Sequence, residues 1–283
     1  MDFLKLCFAL FLLFITASFA QAAEPDALGQ LQESFRQADV AFTLQDLQTG
    51  GFFRYNEMRC QEAFTPFSTF HLPLALIALE TGAAKDVQAL IPWNQLKYPV
   101  QADTMNELPS QWAQDQTLRA AFEHAVPWYF QELEQRIGPQ RLQRYLDKLP
   151  YGNRSLSVNA TGALEPFWQE GNLRITLDEQ LVFLRALYEQ RLPVSKRTQR
   201  LTGELLIKEQ TESYTLRGLA GSGMLANGKY LGWFVGWLET NKGACVFALN
   251  LLGADNEAVN EPAVGLVKTA LALLGYLPKS MRS

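Results

Sequence analysis

A chain of 283 residues with 48% hydrophobic content is long enough for one large domain or two small ones, and apolar enough for a sizeable core. Its net charge of −4, from 25 Lys and Arg against 29 Asp and Glu, leaves no basic stripe, which argues against a nucleic-acid partner. No internal repeat, low-complexity tract or long charged run stands out.

The N-terminus reads as a secretory signal. Lys5 gives a short positive region, Leu6 to Ala17 form an apolar run too short to span a bilayer comfortably, and Ala20-Gln21-Ala22 offers a small-residue cleavage site. Cys7 sits inside the apolar run, with no lipid-anchor box at the cleavage point. Residues 1–22 are therefore expected to be removed. The rest, 23–283, is about 260 residues, periplasmic or secreted and without a stable membrane anchor.

Val40, Phe42 and Leu44 alternate with small or polar residues, then Thr49-Gly50-Gly51 turns into Phe52-Phe53-Arg54-Tyr55, a β-hairpin pattern. An apolar helix runs from just after Ser68 through Leu79 towards Gly82. Residues 83–112 are broken by Pro92, Pro99 and Pro109. Leu118 to Ile137 reads as helix, kinked or divided at Pro127, and Pro139 opens a second helix to Leu149. After Tyr151-Gly152-Asn153 comes a polar loop. Thr176 with Glu179 then forms a capping-box pattern for a helix to about Gln190. Tyr214–Leu219, Tyr230–Glu239 and Ala244–Leu251 read as strands, with turns at Gly221-Ser222-Gly223 and Asn241-Lys242-Gly243, and a helix from Glu261 to Leu274 follows. This order predicts an α/β fold: one antiparallel sheet flanked by helices, with an all-helical lobe.

The chain has two histidines, and one of them stands three residues after Ser68. Positions i and i+3 share a helix face, so Ser68 and His71 can meet, and a hydroxyl becomes a useful nucleophile when a neighbouring base takes its proton. The second histidine is His124; no carboxylate partner for either is apparent, Glu123 being merely adjacent. Cys60 and Cys245 either pair in an oxidising compartment or stay as two buried thiols. No Cys and His cluster has metal-ligand spacing, so no metal and no cofactor is expected.

Several segments in order resemble the class D serine β-lactamases and the similar β-lactam-sensing receptor domains. They are Pro66-Phe67-Ser68-Thr69-Phe70 with Leu72-Pro73, Trp128-Tyr129-Phe130-Gln131-Glu132-Leu133, Tyr145-Leu146-Asp147-Lys148-Leu149, Tyr151-Gly152-Asn153, Phe167-Trp168-Gln169-Glu170-Gly171 and Gly232-Trp233-Phe234-Val235-Gly236-Trp237. The resemblance spans about Val40 to Leu274 and implies a β-lactamase/transpeptidase-like fold. It also implies Ser68 as nucleophile, an oxyanion hole from the backbone N–H groups of Ser68 and Ser222, and Trp168 beside the base.

Four positions depart from the family pattern. Its Ser-x-x-Lys, whose lysine is carbamylated and acts as general base, is here Ser68-x-x-His71, and its Ser-x-Val is His124-Ala125-Val126. Its Lys-Thr-Gly strand motif is Leu219-Ala220-Gly221, and the arginine near the start of the last helix falls at Val264. Imidazole forms no stable carbamate, and Leu219 and Ala220 offer a substrate carboxylate neither charge nor hydroxyl. The candidate catalytic residues are Ser68, His71 and His124, expected to converge in one cleft. The candidate substrate-binding residues are Val126, Trp168, Ala220, Gly221 and Ser222. Two readings stand. One is a serine hydrolase of altered specificity, or weak penicillin-binding protein, acting on a small-molecule acyl substrate. The other is a non-catalytic binding or sensing module, a pseudoenzyme, that holds a cell-wall fragment.

Overall fold

The computed structural model describes residues 27–36, 38–99, 110–161, 164, 167–169 and 171–278; the expected signal segment, residues 1–22, lies outside the described residues. The chain divides into two compact units. One holds the described residues up to Glu62, Thr176–Leu181 and those from Lys208 onward; the other holds Ala63–Ile175 and Val182–Ile207.

The first unit is built on a six-stranded sheet. Its strands are β1 (Asp39–Asp46), β2 (Phe52–Tyr55), β5 (Ile207–Gln210), β6 (Tyr214–Met224), β7 (Tyr230–Thr240) and β8 (Gly243–Gly253), in the order β2-β1-β8-β7-β6-β5. The pairings of β1 with β2 and β8, and of β7 with β6 and β8, are antiparallel. β7 and β8 are buried along nearly their whole length, which is why they read as continuous apolar runs rather than as alternating ones. Helices Ala27–Arg36 and Asn260–Leu273 cover the sheet core, where Leu31, Phe35, Val267 and Leu271 pack with Phe42, Phe234 and Phe247. The close seat of the last helix depends on Gly232, where a Cβ would lie 2.6 Å from the carbonyl oxygen of Val259. The capping box forms in full: the Thr176 N–H donates to Glu179 Oε2 at 2.9 Å and the Glu179 N–H to Thr176 Oγ1 at 3.0 Å. Cys60 and Cys245 are free, buried thiols; Cys60 Sγ donates to the carbonyls of Phe42 and Tyr55, each at 3.5 Å.

One expected turn is misplaced. Gly221-Ser222-Gly223 continue β6, paired with Trp233, Gly232 and Leu231, and the chain reverses at Leu225–Lys229, with Gly228 at φ 80°. Here these glycines continue a paired strand rather than open a turn.

The second unit is helical apart from a ribbon of β3 (Leu90–Ile91) and β4 (Gln116–Thr117) among the described residues. A 3₁₀ turn, Phe67–Phe70, feeds helix His71–Thr81, which is buried from His71 to Leu79 and stopped by Gly82 in the left-handed region at φ 76°. Pro127 divides the expected long helix into Leu118–Glu123 and Pro127–Ile137, taking the first turn of the second, where its missing N–H costs nothing. The next helix, Pro139–Leu146, ends earlier than expected. Helices Ala27–Arg36 and Lys196–Leu205 and the edge strand β5 were not anticipated. No helix among the described residues is long and apolar enough to cross a membrane.

Candidate functional site

Ser68 lies in the 3₁₀ turn that leads into helix His71–Thr81. The residue before it, Phe67, is buried at φ 48°, a conformation unfavourable for a bulky side chain and one that marks local strain. Thr69 pins the turn by donating its hydroxyl to the Pro66 carbonyl at 2.6 Å. Phe70 wedges against Phe167 and Tyr151, with ring centroids 5.1 and 5.9 Å away. Ser68 itself is half-buried. Its carbonyl accepts the His71 N–H, and its hydroxyl has no hydrogen-bond partner among the described residues.

His71 is 2% exposed. Its ring stacks on Phe130 at 3.6 Å, 6° from parallel, and meets Trp168 edge-on at 5.0 Å. Nε2 is buried without a hydrogen bond. Burial alone pulls its pKa down to about 3, so the ring is neutral at physiological pH.

Trp168 brings a third polar group into this nest. Its indole N–H donates to Glu134 Oε1 at 2.6 Å, and Glu134 is itself buried. Burial pushes the carboxyl up to about 7, against the opposing pull of the Trp168 hydrogen bond. Phe130 and Glu134 are one turn apart on Pro127–Ile137, the helix that packs on His71–Thr81, so they share a face. The sequence reading missed Glu134. A carboxylate falling in step with the apolar positions Phe130, Leu133 and Ile137 was the available signal.

His124 follows helix Leu118–Glu123. It is exposed; its carbonyl accepts the Trp112 indole N–H at 2.9 Å, and Ala125 beyond it turns the chain at φ 49°. Among the described residues no hydrogen bond joins the Ser68 hydroxyl to either imidazole, and no hydrogen bond or ring contact joins His124 to Ser68 or His71. Val126 is fully buried, with its N–H on the Ala121 carbonyl. In the Tyr151-Gly152-Asn153 turn, Asn153 clamps the backbone of the following loop, accepting the Arg174 N–H at 3.0 Å and donating to the Asn172 carbonyl at 2.7 Å.

The remaining candidates belong to the sheet unit. Leu219 is buried on β6. Ala220 packs against the sheet core, as does Val264 on the last helix. Gly221 is buried, and Ser222 donates its hydroxyl to Asn256 Oδ1 at 2.6 Å.

Residues 21–270 match the penicillin binding protein transpeptidase domain. The chain is 33% identical over 230 residues to the probable beta-lactamase YbxI of Bacillus subtilis, covering 81% of this chain and 80% of that protein. It is 34% identical over 199 residues to beta-lactamase OXA-48 of Klebsiella pneumoniae, covering 70% of each. Among solved structures, the class D YbXI beta-lactamase from Nostoc superposes with a TM-score of 0.79 at 31% identity, over 87% of this chain and 99% of that one. FUS-1, a class D beta-lactamase from Fusobacterium nucleatum subsp. polymorphum, gives a TM-score of 0.79 at 27% identity, over 88% of this chain and 98% of that one. With these matches, and with a fold to suit them, the chain belongs to the class D serine β-lactamase family.

Proposed function

We propose that this protein is an exported serine acyl-transfer enzyme that is acylated at Ser68 by a small ester or amide lacking a free carboxylate, and that it turns over ordinary penicillins poorly. The observation that carries this reading is the Ser68 hydroxyl. It sits half-buried, without a hydrogen-bond partner among the described residues, after a strained residue and three positions from an imidazole kept neutral by burial. A neutral imidazole has a lone pair free for a proton, but burial that holds its pKa at about 3 makes His71 a weak base unless an anion nearby favours its charged form. Backbone donors for an oxyanion survive side-chain replacement. The altered specificity rests on Leu219, Ala220 and Val264, which are apolar where the family resemblance implies cationic and hydroxyl groups. Charge-assisted hydrogen bonds are roughly twice as strong as neutral ones, so a substrate carboxylate loses much of its anchorage.

A second reading, a periplasmic module that binds a cell-wall fragment without turnover, is favoured by one observation: neither imidazole is hydrogen-bonded to the serine among the described residues. Steady-state assays with p-nitrophenyl acetate and a chromogenic cephalosporin separate the two. The enzyme reading expects ester turnover that Ser68→Ala abolishes, and little cephalosporin turnover. Ester turnover at the Ser68→Ala level favours the binding module.

A further inference from the structure

Two polar groups in the helical unit are buried at a cost with no structural return. A buried polar atom left without a hydrogen bond costs roughly 1–3 kcal/mol, and such an atom in a native fold calls for an explanation. His71 Nε2 is one such atom. Glu134 is the second group: a carboxyl on the apolar face of a helix, with the Trp168 indole as its hydrogen-bond partner and no ion pair among the described residues. A leucine there would pack without that cost. Both groups touch the same indole, and Phe130, which stacks on His71, is one helical turn from Glu134 on the same face. Two unrelated core fillers have no reason to share one indole.

We propose that Glu134, held by Trp168, is the positioning carboxyl of this site, which makes His71 the acceptor of the Ser68 proton. This rests on the acyl-transfer reading above. The Ser68 oxygen forms a bond to the acyl carbon while the serine proton passes to His71. The ionised Glu134 carboxylate stabilises the imidazolium formed beside Trp168. The bond from the acyl carbon to the leaving oxygen or nitrogen then breaks, and His71 returns the proton to that atom. Water repeats the cycle to release the acid, with Glu134 unchanged. Glu134 thus supplies the carboxylate partner for His71 that the sequence did not reveal. It also presents the Trp168 indole with a two-oxygen anionic head similar in shape to the carbamate implied by the family resemblance.

The surrounding charges leave this pair to itself. Burial is the cause acting on His71; burial and the Trp168 hydrogen bond are those acting on Glu134. On the same helix, Glu132 is paired with Lys97 and Arg136. On the packed helices, Glu80 accepts from Thr198 and Ser195, Arg119 pairs with Glu204, and Glu123, Arg141 and Arg144 are at the surface.

The test is the rate of Ser68 acetylation by p-nitrophenyl acetate from pH 5 to 9 in the native protein and in the Glu134→Gln, Glu134→Asp and Trp168→Phe variants. The NMR shift of the Trp168 indole proton is followed over the same range. The native rate should rise with a midpoint near 7, as the carboxyl ionises. Glu134→Gln should lower it on the order of 10²-fold at pH 8 and flatten the profile, while Glu134→Asp keeps a titration with a displaced midpoint. Trp168→Phe should move the midpoint upward, because the indole hydrogen bond favours the ionised carboxyl. The indole shift should titrate near 7 in the native protein and not in Glu134→Gln. If the native protein is labelled and Glu134→Gln keeps its rate within twofold and its midpoint, the proposal for Glu134 is overturned alone. If the native protein is not labelled at any pH while the indole still titrates, it is the acyl-transfer reading that falls. Should Glu134→Gln fail to fold, the native profile and the Glu134→Asp shift decide: a midpoint that is the same in both overturns the proposal.

Discussion

The imidazole of His71 lies face to face with the ring of Phe130, 3.6 Å away and 6° from parallel. This contact places a titratable ring in the interior in its neutral form, and its consequences reach both the stability and the chemistry of the protein.

The first consequence is a linkage between pH and folding. Below pH 6.5 the unfolded chain protonates His71, while the folded chain refuses the proton until pH approaches about 3, so this contribution to stability is lost as pH falls. Glu134 acts in the opposite sense. The folded carboxyl keeps its proton up to about 7, against 4.5 when unfolded, so stability from this source is lost as pH rises through that window. Relative to the native protein, His71→Phe should gain about 2 kcal/mol on going from pH 8 to pH 5, and Glu134→Gln about 2.5 kcal/mol on going from pH 5 to pH 8. Urea unfolding of the three proteins at both pH values measures this. Differences that do not change with pH would refute the assigned burial of these groups.

The sheet and most helices were legible because their cues are local. The Val40–Tyr55 hairpin, the Thr176 capping box and Pro127 as a helix boundary each rest on a few adjacent residues. The Gly221-Ser222-Gly223 segment misled because glycine serves turns and close strand packing alike, and only cross-strand partners distinguish them. Ser68 and His71 were legible from spacing along one helix. Glu134 was not, because its partner Trp168 is 34 positions away and its meaning depends on burial.

The second consequence is chemical. An imidazole at position 71 carries no carbamate, so acylation at Ser68 should not respond to added bicarbonate, and penicillin hydrolysis should be weak. Losing an anchoring contact to a charged group costs about 1.5–3 kcal/mol, and losing a general base about 10²–10⁴-fold in rate, with no requirement that the two add. Steady-state rates with a chromogenic cephalosporin, with and without bicarbonate, check both points. Turnover that bicarbonate stimulates in the native protein would contradict this account.

Gly152 should resist substitution. It sits at φ 48°, and a Cβ there would lie 2.1 Å from the Arg174 carbonyl oxygen. That clash falls on the backbone that Asn153 clamps from the other side. Gly152→Ala should cost at least about 2 kcal/mol in thermal or urea unfolding. A loss under about 0.5 kcal/mol would mean that the turn is not held in this form.

The two thiols should be inert in the folded state. Both are buried; burial pushes Cys60 up to about 12 and Cys245 higher still. Iodoacetamide should modify neither until denaturant is added, and a reductant should leave the mass of the protein unchanged. Rapid native alkylation, or a two-dalton mass gain on reduction, would contradict the free, buried state.

The central claim is that Ser68 is an acyl acceptor. Intact-mass spectrometry after exposure to a fluorophosphonate, with Ser68→Ala in parallel, tests it most directly. The account predicts a single adduct on the native protein, mapped to the peptide containing Ser68 and absent from Ser68→Ala. A native protein that stays unmodified, or an adduct that persists in Ser68→Ala, would contradict it.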